Sequence, residues 1–296
     1  SFTRDLCFLL KLSGCVAVSG GLEVASDRLL KLINKGVTVE QVAKVCRNFT
    51  EAGIMVHSYL MYGYPTQTEQ ETIDSLEMVR QMFEMGILQS GFWHQFAMTA
   101  HSPVGLNPEE FGVVPNLKDI TFANNDIEHI DPSGAEHTLF SEGLKISLFN
   151  YMQGAGFDIP LGDWFDTKVP ATTIPHNYIE KVIQNAPVSI PAPTTKVIYL
   201  GNKPILKNYT KTKKGVAYDM CSITFYNRNG ELTIKLNREL AVWLQEILNL
   251  IAVQNVKTYT LQDIAAHYEN SGFTDFEMFW NNPPINSLYQ VGLLHL

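Results

Sequence analysis

Two short stretches of the sequence, 20–23 and 62–65, combine polar side chains with glycine or proline, and a third, 94–101, carries two histidines among other polar side chains. Glycine lets the backbone approach a ligand closely, and proline fixes the shape of a turn. The carboxylate of Glu23 can accept hydrogen bonds from two neighbouring hydroxyl groups. These three stretches are therefore the first places in which to look for a binding site.

Each of these residues also has an ordinary structural interpretation, which stays open at this point. Glu23 stands just before a helix start, where it could be simply a charged residue that favours the start of the helix. Lys35 precedes Gly36 and has the position of a cation that commonly ends a helix. The stretch 62–65 could simply be the turn that ends a strand, with no binding role.

The segment after residue 91 is rich in aromatic and polar side chains. Strand alternation puts His94 on one side of a strand and Gln95 on the other, so that His94 could face a substrate. Thr99 and His101 follow in the same loop and complete the predicted substrate-binding residues. A lone histidine is more often structural, and the pair His94 and His101 lacks a convincing spacing and a third ligand for a metal site.

Other residues with reactive side chains carry no predicted chemistry. His129 and His137 each follow a glutamate and are predicted to lie on the surface. No nucleophile-elbow motif places a serine at a strand-to-helix turn, so the sequence does not support hydrolase chemistry.

Strands and helices alternate through the first half of the chain. Thr38 with Gln41, and Thr68 with Glu71, have the pattern of a capping box at a helix start. Alternation at this spacing predicts an α/β fold of parallel strands with right-handed crossovers, either a sheet or part of a barrel. Ligands then gather beyond the carboxyl ends of the strands. The predicted strands cover 16–18, 54–61 and 91–95, and the predicted helices begin at 26–27, 38 and 68.

Four segments in one register resemble the second half of the barrel of radical S-adenosylmethionine enzymes. The sequence is similar to the group that contains oxygen-independent coproporphyrinogen oxidases, tRNA methylthiotransferases and cobalamin-linked Fe–S oxidoreductases, over roughly residues 10–105. The segments are Gly21-Leu22-Glu23-Val24-Ala25-Ser26-Asp27-Arg28-Leu29-Leu30, Asn34-Lys35-Gly36-Val37-Thr38, Ala52-Gly53-Ile54 and Tyr62-Gly63-Tyr64-Pro65-Thr66-Gln67-Thr68.

The resemblance implies a role for each segment. Glu23 stands where the family hydrogen-bonds the ribose of S-adenosylmethionine, and Lys35 stands where a basic residue pairs with the methionyl carboxylate. The turn Tyr62-Gly63-Tyr64-Pro65 matches the one that lies against the adenine. In such enzymes a reduced 4Fe-4S cluster cleaves S-adenosylmethionine to a 5′-deoxyadenosyl radical, which abstracts hydrogen from a substrate.

Two departures limit what the resemblance implies for this chain. Some relatives carry an acidic residue just before that turn, whereas this sequence has Ser58-Tyr59-Leu60. The four cysteines do not form the CxxxCxxC motif that holds the cluster in the family. We therefore expect the carboxyl-terminal portion of a radical S-adenosylmethionine Fe–S oxidoreductase, inactive alone, whose full-length parent binds S-adenosylmethionine and a 4Fe-4S cluster. No tightly bound cofactor is expected in this chain.

Composition and charge disfavour several other classes. The 296 residues are 45% hydrophobic and 18% charged, which is typical of a folded protein. Lysine and arginine total 22 against 30 aspartate and glutamate, a net charge of −8, so no nucleic-acid partner is expected. No apolar run approaches the roughly 20 residues that cross a bilayer, which predicts no membrane association and a cytoplasmic location. Wide cysteine spacing predicts reduced thiols.

The composition changes twice along the chain. We predict the carboxyl-terminal half of a radical-SAM-like β/α barrel at 1–156, a Pro-rich connector at 157–215 and a small α+β, winged-helix-like module at 216–296. The connector is expected to hold little regular structure apart from a short helix near 177–184. The module has more apolar residues than a hairpin can cover, so we expect it to dock on the barrel as a substrate cover.

Two other functions stay open. A noncatalytic α/β binding or scaffold protein could hold a nucleotide-like ligand on the same glycine-containing loops. A DNA-binding regulator could be built on the terminal helices, although the charge balance disfavours it. The substrate and the oligomeric state are not predicted, because similar barrels carry different chemistries.

Overall fold

A computed structural model of the chain describes residues 2–116, 125–132, 134–184, 191–227 and 230–296. The chain divides into two compact units. We call residues 16–186 the sheet unit, and residues 1–15 together with 187–296 the terminal unit. Every helix among the described residues is too short or too polar to cross a membrane.

The sheet unit is built on three parallel strands with β2 in the centre. Helices lie between successive strands, as right-handed crossover connections require. The mixed α/β class and the parallel strands predicted from the sequence are confirmed. The elements are β1 (Ala17–Glu23), α2 (Asp27–Leu32), α3 (Val39–Glu51), β2 (Met55–Tyr62), α4 (Glu69–Glu84), β3 (Ser90–Gln95), α5 (Pro103–Leu106), β4 (Val114–Pro115), β5 (His129–Ile130), α6 (Ser141–Met152) and α7 (Tyr178–Gln184), after α1 (Arg4–Leu12) of the terminal unit.

Helices of the sheet unit begin where the sequence pattern predicts. The hydroxyl of Ser26 accepts a hydrogen bond within the first turn of α2. Both capping boxes form, Thr38 with Gln41 at α3 and Thr68 with Glu71 at α4. These bonds occupy N–H groups that have no partner inside the helix, and they fix the entry of each chain segment into its helix.

The two faces of the sheet have different surroundings. Ser58 of β2 and Gly91 of β3 are neighbours on a covered face, where a side chain at position 91 would meet Leu148 of α6. Tyr59 and Phe92 are neighbours on the opposite face, which is exposed. We call this second surface the open face. By strand alternation it consists of Ala17, Ser19 and Gly21 of β1, Met55, His57, Tyr59 and Met61 of β2, and Ser90, Phe92 and His94 of β3. Met61, near the carboxyl edge, is covered by a core cluster and is buried.

Helix α4 is buried along most of its length and carries an ion pair in its buried part. Arg80 donates to both carboxylate oxygens of Glu77 at 2.8 Å. Gln81 donates to Glu77 and to the carbonyl of Pro175, and Arg80 donates to the carbonyl of Phe157. These bonds tie α4 to the Pro-rich segment, and the bonds to Glu77 raise the pKa of Arg80.

The terminal unit contains two antiparallel sheets of three strands, ordered β7-β8-β9 and β10-β6-β11. The side chain of Asn237 caps α8 by accepting a hydrogen bond from the Leu240 N–H. The sequence Asn227-Arg228-Asn229-Gly230 predicts a hairpin turn, whose residues Arg228 and Asn229 lie outside the described residues. The elements are β6 (Lys196–Tyr199), β7 (Ile205–Lys213), β8 (Val216–Asn227), β9 (Gly230–Asn237), α8 (Arg238–Leu250), β10 (Tyr259–Thr260), α9 (Leu261–Asn270), α10 (Phe276–Trp280), α11 (Pro283–Asn286) and β11 (Leu293–His295).

The structure corrects two expectations about this part of the chain. The stretch predicted to hold little regular structure contains β6 and β7, because the six prolines that suggested a connector all precede Lys196. The apolar side chains expected to need another docking surface are packed in the core of the terminal unit itself, as Trp243, Ile247 and Phe279 show. These apolar side chains therefore give no argument for docking, and the docking itself stays a prediction.

The buried ion pair of α4 should make a large contribution to stability. We expect Arg80→Met to lower the free energy of unfolding by about 3–5 kcal/mol, because it leaves the Glu77 carboxylate buried without its partner. Arg47, which pairs with Glu51 on the exposed side of α3, is the matched control, and Arg47→Met should change stability by less than about 1 kcal/mol. Urea unfolding measures both values, and equal effects would contradict the assignment.

Candidate functional site

The sequence-predicted cofactor residues lie at one edge of the sheet. β1 ends at Glu23 and β2 ends at Tyr62, just before Gly63. Since β1 and β2 are parallel neighbours, with Glu23 in register with Leu60, their carboxyl ends point to the same edge. Gln95 ends β3 at that edge as well.

Glu23 sits in an unusual backbone conformation at the end of β1. Its φ is 59°, in the left-handed region, and the strand register shifts between Gly21 and Glu23. The Glu23 carboxylate folds back into the space where a side chain at position 21 would begin, so a side chain there would displace the carboxylate. Such strained positions are concentrated at functional sites.

Lys35 and Glu23 form an ion pair at this edge. Nζ of Lys35 lies 2.7 Å from Oε1 of Glu23, and the side chains are 34% and 21% exposed. Lys35 Nζ also lies 3.1 Å from the point where a side chain on Gly21 would begin. The two residues that the resemblance assigns to different groups of one ligand are thus adjacent and accessible.

A second charge network ties the neighbouring loop to two helix starts. Arg28 of α2 donates to both carboxylate oxygens of Glu71 at 2.7 Å, and Glu71 also accepts from Ser26. Arg28 donates further to the hydroxyl and the carbonyl of Thr66, each at 3.0 Å. The hydrogen bonds from Arg28 and Thr68 hold the pKa of Glu71 below its usual value although burial acts in the opposite direction. The network therefore stays charged at neutral pH.

Thr66 is held in a left-handed conformation by partners on both sides. Its φ is 67°, which is costly for a β-branched residue. Its N–H donates to Oδ2 of Asp131 at 2.6 Å, in addition to the bonds from Arg28. Asp131 also accepts from the Gly134 N–H. The surrounding bonds thus determine the shape of the turn before any ligand binds.

The turn 62–65 is braced from inside by Gln67. The Gln67 side chain is fully buried, and its Oε1 accepts from the N–H groups of Gly63 and Tyr64 at 2.8 and 3.2 Å. Tyr62 packs edge-to-face on Trp93, and Tyr64 is buried in its own aromatic cluster. The tyrosine rings therefore belong to the core, and the backbone around Gly63 is the part of this turn that can lie against a ligand.

His137 is buried beside Gly63, contrary to the predicted surface position. The side chain is only 9% exposed, and neither ring nitrogen has a hydrogen-bond partner among the described residues. A side chain at position 63 would begin 3.2 Å from the ring, and Gly63 has a φ of 79°. Burial lowers the pKa of His137, although Asp131 and Glu136 act to raise it. The ring is buried because it fills the space that the glycine leaves.

The predicted substrate residues spread along β3 and the loop after it. His94 is in register with Met61 on the open face, and Gln95 is in register with Tyr62 on the other face. Thr99 forms an isolated bridge to Asp126, and His101 is exposed beyond it. The structure therefore leaves His94 on the open face and separates it from Gln95, while the binding roles of all four residues stay predictions.

The described residues offer no site for an iron–sulfur cluster. No group of three or more His, Cys, Asp or Glu side chains in the described part of the chain is arranged to hold a metal ion. Burial raises the pKa of the Cys7 thiol to about 11 and of the Cys46 thiol to about 12. Cluster ligands must be thiolates, and these environments favour the protonated thiol.

Sequence reasoning missed the residues that hold the turn in place. Arg28 and Thr66 lie inside the matched segments. A charged residue in the first turn of a helix, such as Arg28, gives only a weak indication that it bonds to another element. Asp131 and His137 lie 65 or more residues beyond their partners, and no local pattern announces such contacts.

Comparison with known proteins gives partial matches. The family model of the radical SAM superfamily matches residues 1–79. Uncharacterized protein MK0932 of Methanopyrus kandleri is 33% identical over 70 residues, which are 24% of this chain and 13% of that protein. Uncharacterized methyltransferase PH0819 of Pyrococcus horikoshii is 26% identical over 82 residues, 28% of this chain and 18% of that protein. The chain spans less than a fifth of the length of these relatives.

Two solved structures are distantly similar. The radical S-adenosylmethionine methyltransferase TsrM from Kitasatospora setae, with cobalamin and a [4Fe-4S] cluster bound, is 17% identical with a TM-score of 0.37, over 51% of this chain and 34% of TsrM. Elp3 from Methanocaldococcus infernus is 13% identical with a TM-score of 0.32, over 75% of this chain and 54% of Elp3.

The contact between Gly63 and His137 can be tested against a second glycine. Gly36 also has a positive φ, of 72°, but a side chain there would meet nothing within 4 Å. Both Gly→Ala variants carry the backbone strain of about 1–2 kcal/mol, while Gly63→Ala must also displace the His137 ring. We expect Gly63→Ala to lower the free energy of unfolding by about 1–3 kcal/mol more than Gly36→Ala does. Equal losses in urea unfolding would show that the ring contact is unimportant.

Burial of a neutral His137 should make stability depend on pH. The unfolded chain binds a proton at His137 near pH 6.5, whereas the lowered pKa means that the folded chain binds this proton less readily. Lowering the pH below about 6.5 should therefore favour unfolding in the wild type more than in His137→Phe, with the difference vanishing above about pH 7.5. His101→Phe, which removes an exposed histidine, is the control. Identical pH profiles for wild type and His137→Phe would contradict this account.

Proposed function

We propose that this chain, which belongs to the radical SAM superfamily, supplies part of the S-adenosylmethionine cleft of a radical S-adenosylmethionine enzyme. The observation that carries the proposal is the accessible Glu23–Lys35 ion pair beside the preformed Gly63 turn at one carboxyl edge of the sheet. We further propose that residues 1–156 correspond to the carboxyl-terminal half of a β/α barrel, that residues 216–296 are a winged-helix-like substrate cover, and that the reaction is an Fe–S oxidoreduction.

The residues present suit the polar groups of S-adenosylmethionine. The Glu23 carboxylate would accept hydrogen bonds from the ribose hydroxyls, and the Lys35 ammonium would pair with the methionyl carboxylate. The backbone of Gly63 would lie against the adenine, where a side chain would interfere. An exposed ion pair contributes at most about 1 kcal/mol, so exchanging the Glu23–Lys35 bond for bonds to a ligand costs little. When bound, the cofactor supplies the radical chemistry, while these residues bind and orient it.

The iron–sulfur cluster does not fit the described residues, and we assign no step to it here. We propose that the chain acts within a longer polypeptide, and that the isolated chain binds S-adenosylmethionine weakly. The methionyl amino and carboxylate groups are normally anchored on the cluster, and losing these anchors removes binding free energy while the cost of immobilising the ligand remains. The absence of micromolar binding in calorimetry is the expected result for the isolated chain.

A titration of the isolated chain with S-adenosylhomocysteine tests the proposed cleft. At millimolar ligand, we expect the amide NMR signals of Gly21 and Gly63 to shift together. Glu23→Gln and Lys35→Met should each weaken the binding by about tenfold or more, since a hydrogen bond to a charged group contributes about 1.5–3 kcal/mol.

Matched variants separate binding from stability in this titration. Glu51→Gln removes a carboxylate from another ion pair, and Lys44→Met removes an ammonium that is 34% exposed, as Lys35 is. Neither should change the affinity. If Glu23→Gln and Lys35→Met lower the melting temperature without changing the titration, these residues only support helix ends and the proposed cleft is wrong. Binding of other nucleotides with equal affinity would favour a noncatalytic nucleotide-binding protein.

A further inference from the structure

The open face exposes two large aromatic side chains in the middle of a parallel sheet. Tyr59 of β2 is 48% exposed and Phe92 of β3 is 59% exposed. The two residues are directly in register on neighbouring strands, whose backbones lie about 4.8 Å apart. Exposed apolar side chains that are grouped in a patch mark binding surfaces, whereas single exposed apolar residues are common and need no explanation.

A pair of polar side chains, His57 and Ser90, lies beside these aromatic residues on the same face. Two positions before Tyr59 on the same face, His57 is bound through Nδ1 to the hydroxyl of Ser90 at 2.8 Å. His57 also contacts the edge of the Tyr59 ring, with ring centres 5.0 Å apart. Its Nε2 has no hydrogen-bond partner among the described residues. Because Ser90 can donate to Nδ1 or accept from it, Nε2 can be either an acceptor or a donor.

The aromatic pair is also next to the proposed cofactor cleft. Gly21 of β1 is in register with Tyr59, so Gly21, Tyr59 and Phe92 form one row across the sheet. The Glu23 carboxylate lies directly over Gly21, and Lys35 lies beside it. A molecule bound on Tyr59 and Phe92 would therefore lie about one strand spacing from the Glu23–Lys35 ion pair.

We propose that Tyr59 and Phe92 bind the substrate of this enzyme through a planar aromatic or heteroaromatic ring, and that His57, oriented by Ser90, hydrogen-bonds a polar atom on the edge of that ring. An apolar surface with a few well-placed polar groups is typical of small-molecule sites. Flat rings gain specific stacked or edge contacts with Tyr and Phe that a saturated ring does not. The word substrate rests on the proposed function, whereas the ring site itself does not.

Two small probes test this site on the chain as it is. Benzamide has a planar ring with a polar edge, and cyclohexanecarboxamide carries the same amide on a saturated ring. In a chain with ¹³C-labelled histidine, where His57→Gln identifies the signal, we expect benzamide to shift the His57 resonance saturably and cyclohexanecarboxamide to leave it unchanged. Tyr59→Leu and Phe92→Leu should each weaken benzamide binding by about 3- to 10-fold, the range that ring contacts contribute.

Phe149→Leu is the matched control, because Phe149 is a 62% exposed phenylalanine on α6. It should leave benzamide binding unchanged. The proposal is overturned if benzamide causes no saturable shift up to its solubility limit, if cyclohexanecarboxamide binds equally well, or if Phe149→Leu weakens binding as Phe92→Leu does. If the chain dimerises and Phe92→Lys abolishes the dimer, the open face binds a second copy of the chain, and this result would also overturn the proposal. Loss of the ring site with an intact S-adenosylhomocysteine titration would leave the proposed cofactor cleft standing.

Discussion

The common direction of β1, β2 and β3 is the constraint on which the rest of the sheet unit depends. Parallel neighbours bring their carboxyl ends to one edge, so residues far apart in sequence, such as Glu23 and Gly63, become neighbours in space. The same alternation sends every second side chain to the open face. One edge and one face of a single sheet therefore carry both proposed sites. A reversed strand would separate them.

Strain at this edge is balanced by bonds from distant parts of the chain. Glu23 and Thr66 both adopt left-handed backbone conformations without being glycine. Thr66 is held by Arg28 on one side and Asp131 on the other, and Gln67 occupies the amide groups of the turn from within. These partners order the turn in advance, so a ligand would not have to supply the free energy for shaping it. The buried charges of Arg80 and Glu77 hold helix α4, which follows the turn.

Local sequence patterns predicted the elements well, and contacts between distant elements poorly. The capping boxes at Thr38 and Thr68 act within one helical turn, so their residues alone determine where α3 and α4 begin. Glu23 and Gly63 each follow one of two successive strands that were predicted to be parallel. Their positions therefore also predicted that the two residues share an edge. The burial of His137 could not be predicted in this way, because it depends on the space beside Gly63, more than 70 residues earlier in the chain. The strands β6 and β7 were missed because nearby prolines dominated the composition of that region.

The central claim is that the Glu23–Lys35 pair and the Gly63 turn form one half of an S-adenosylmethionine cleft. A crystal structure of the chain soaked with S-adenosylhomocysteine tests it most directly. We expect ligand density at the carboxyl edge of the sheet, with the ribose at Glu23, the carboxylate at Lys35, the adenine along residues 63–65, and the Glu23–Lys35 bond opened. Density elsewhere, with the 2.7 Å ion pair intact, would contradict it.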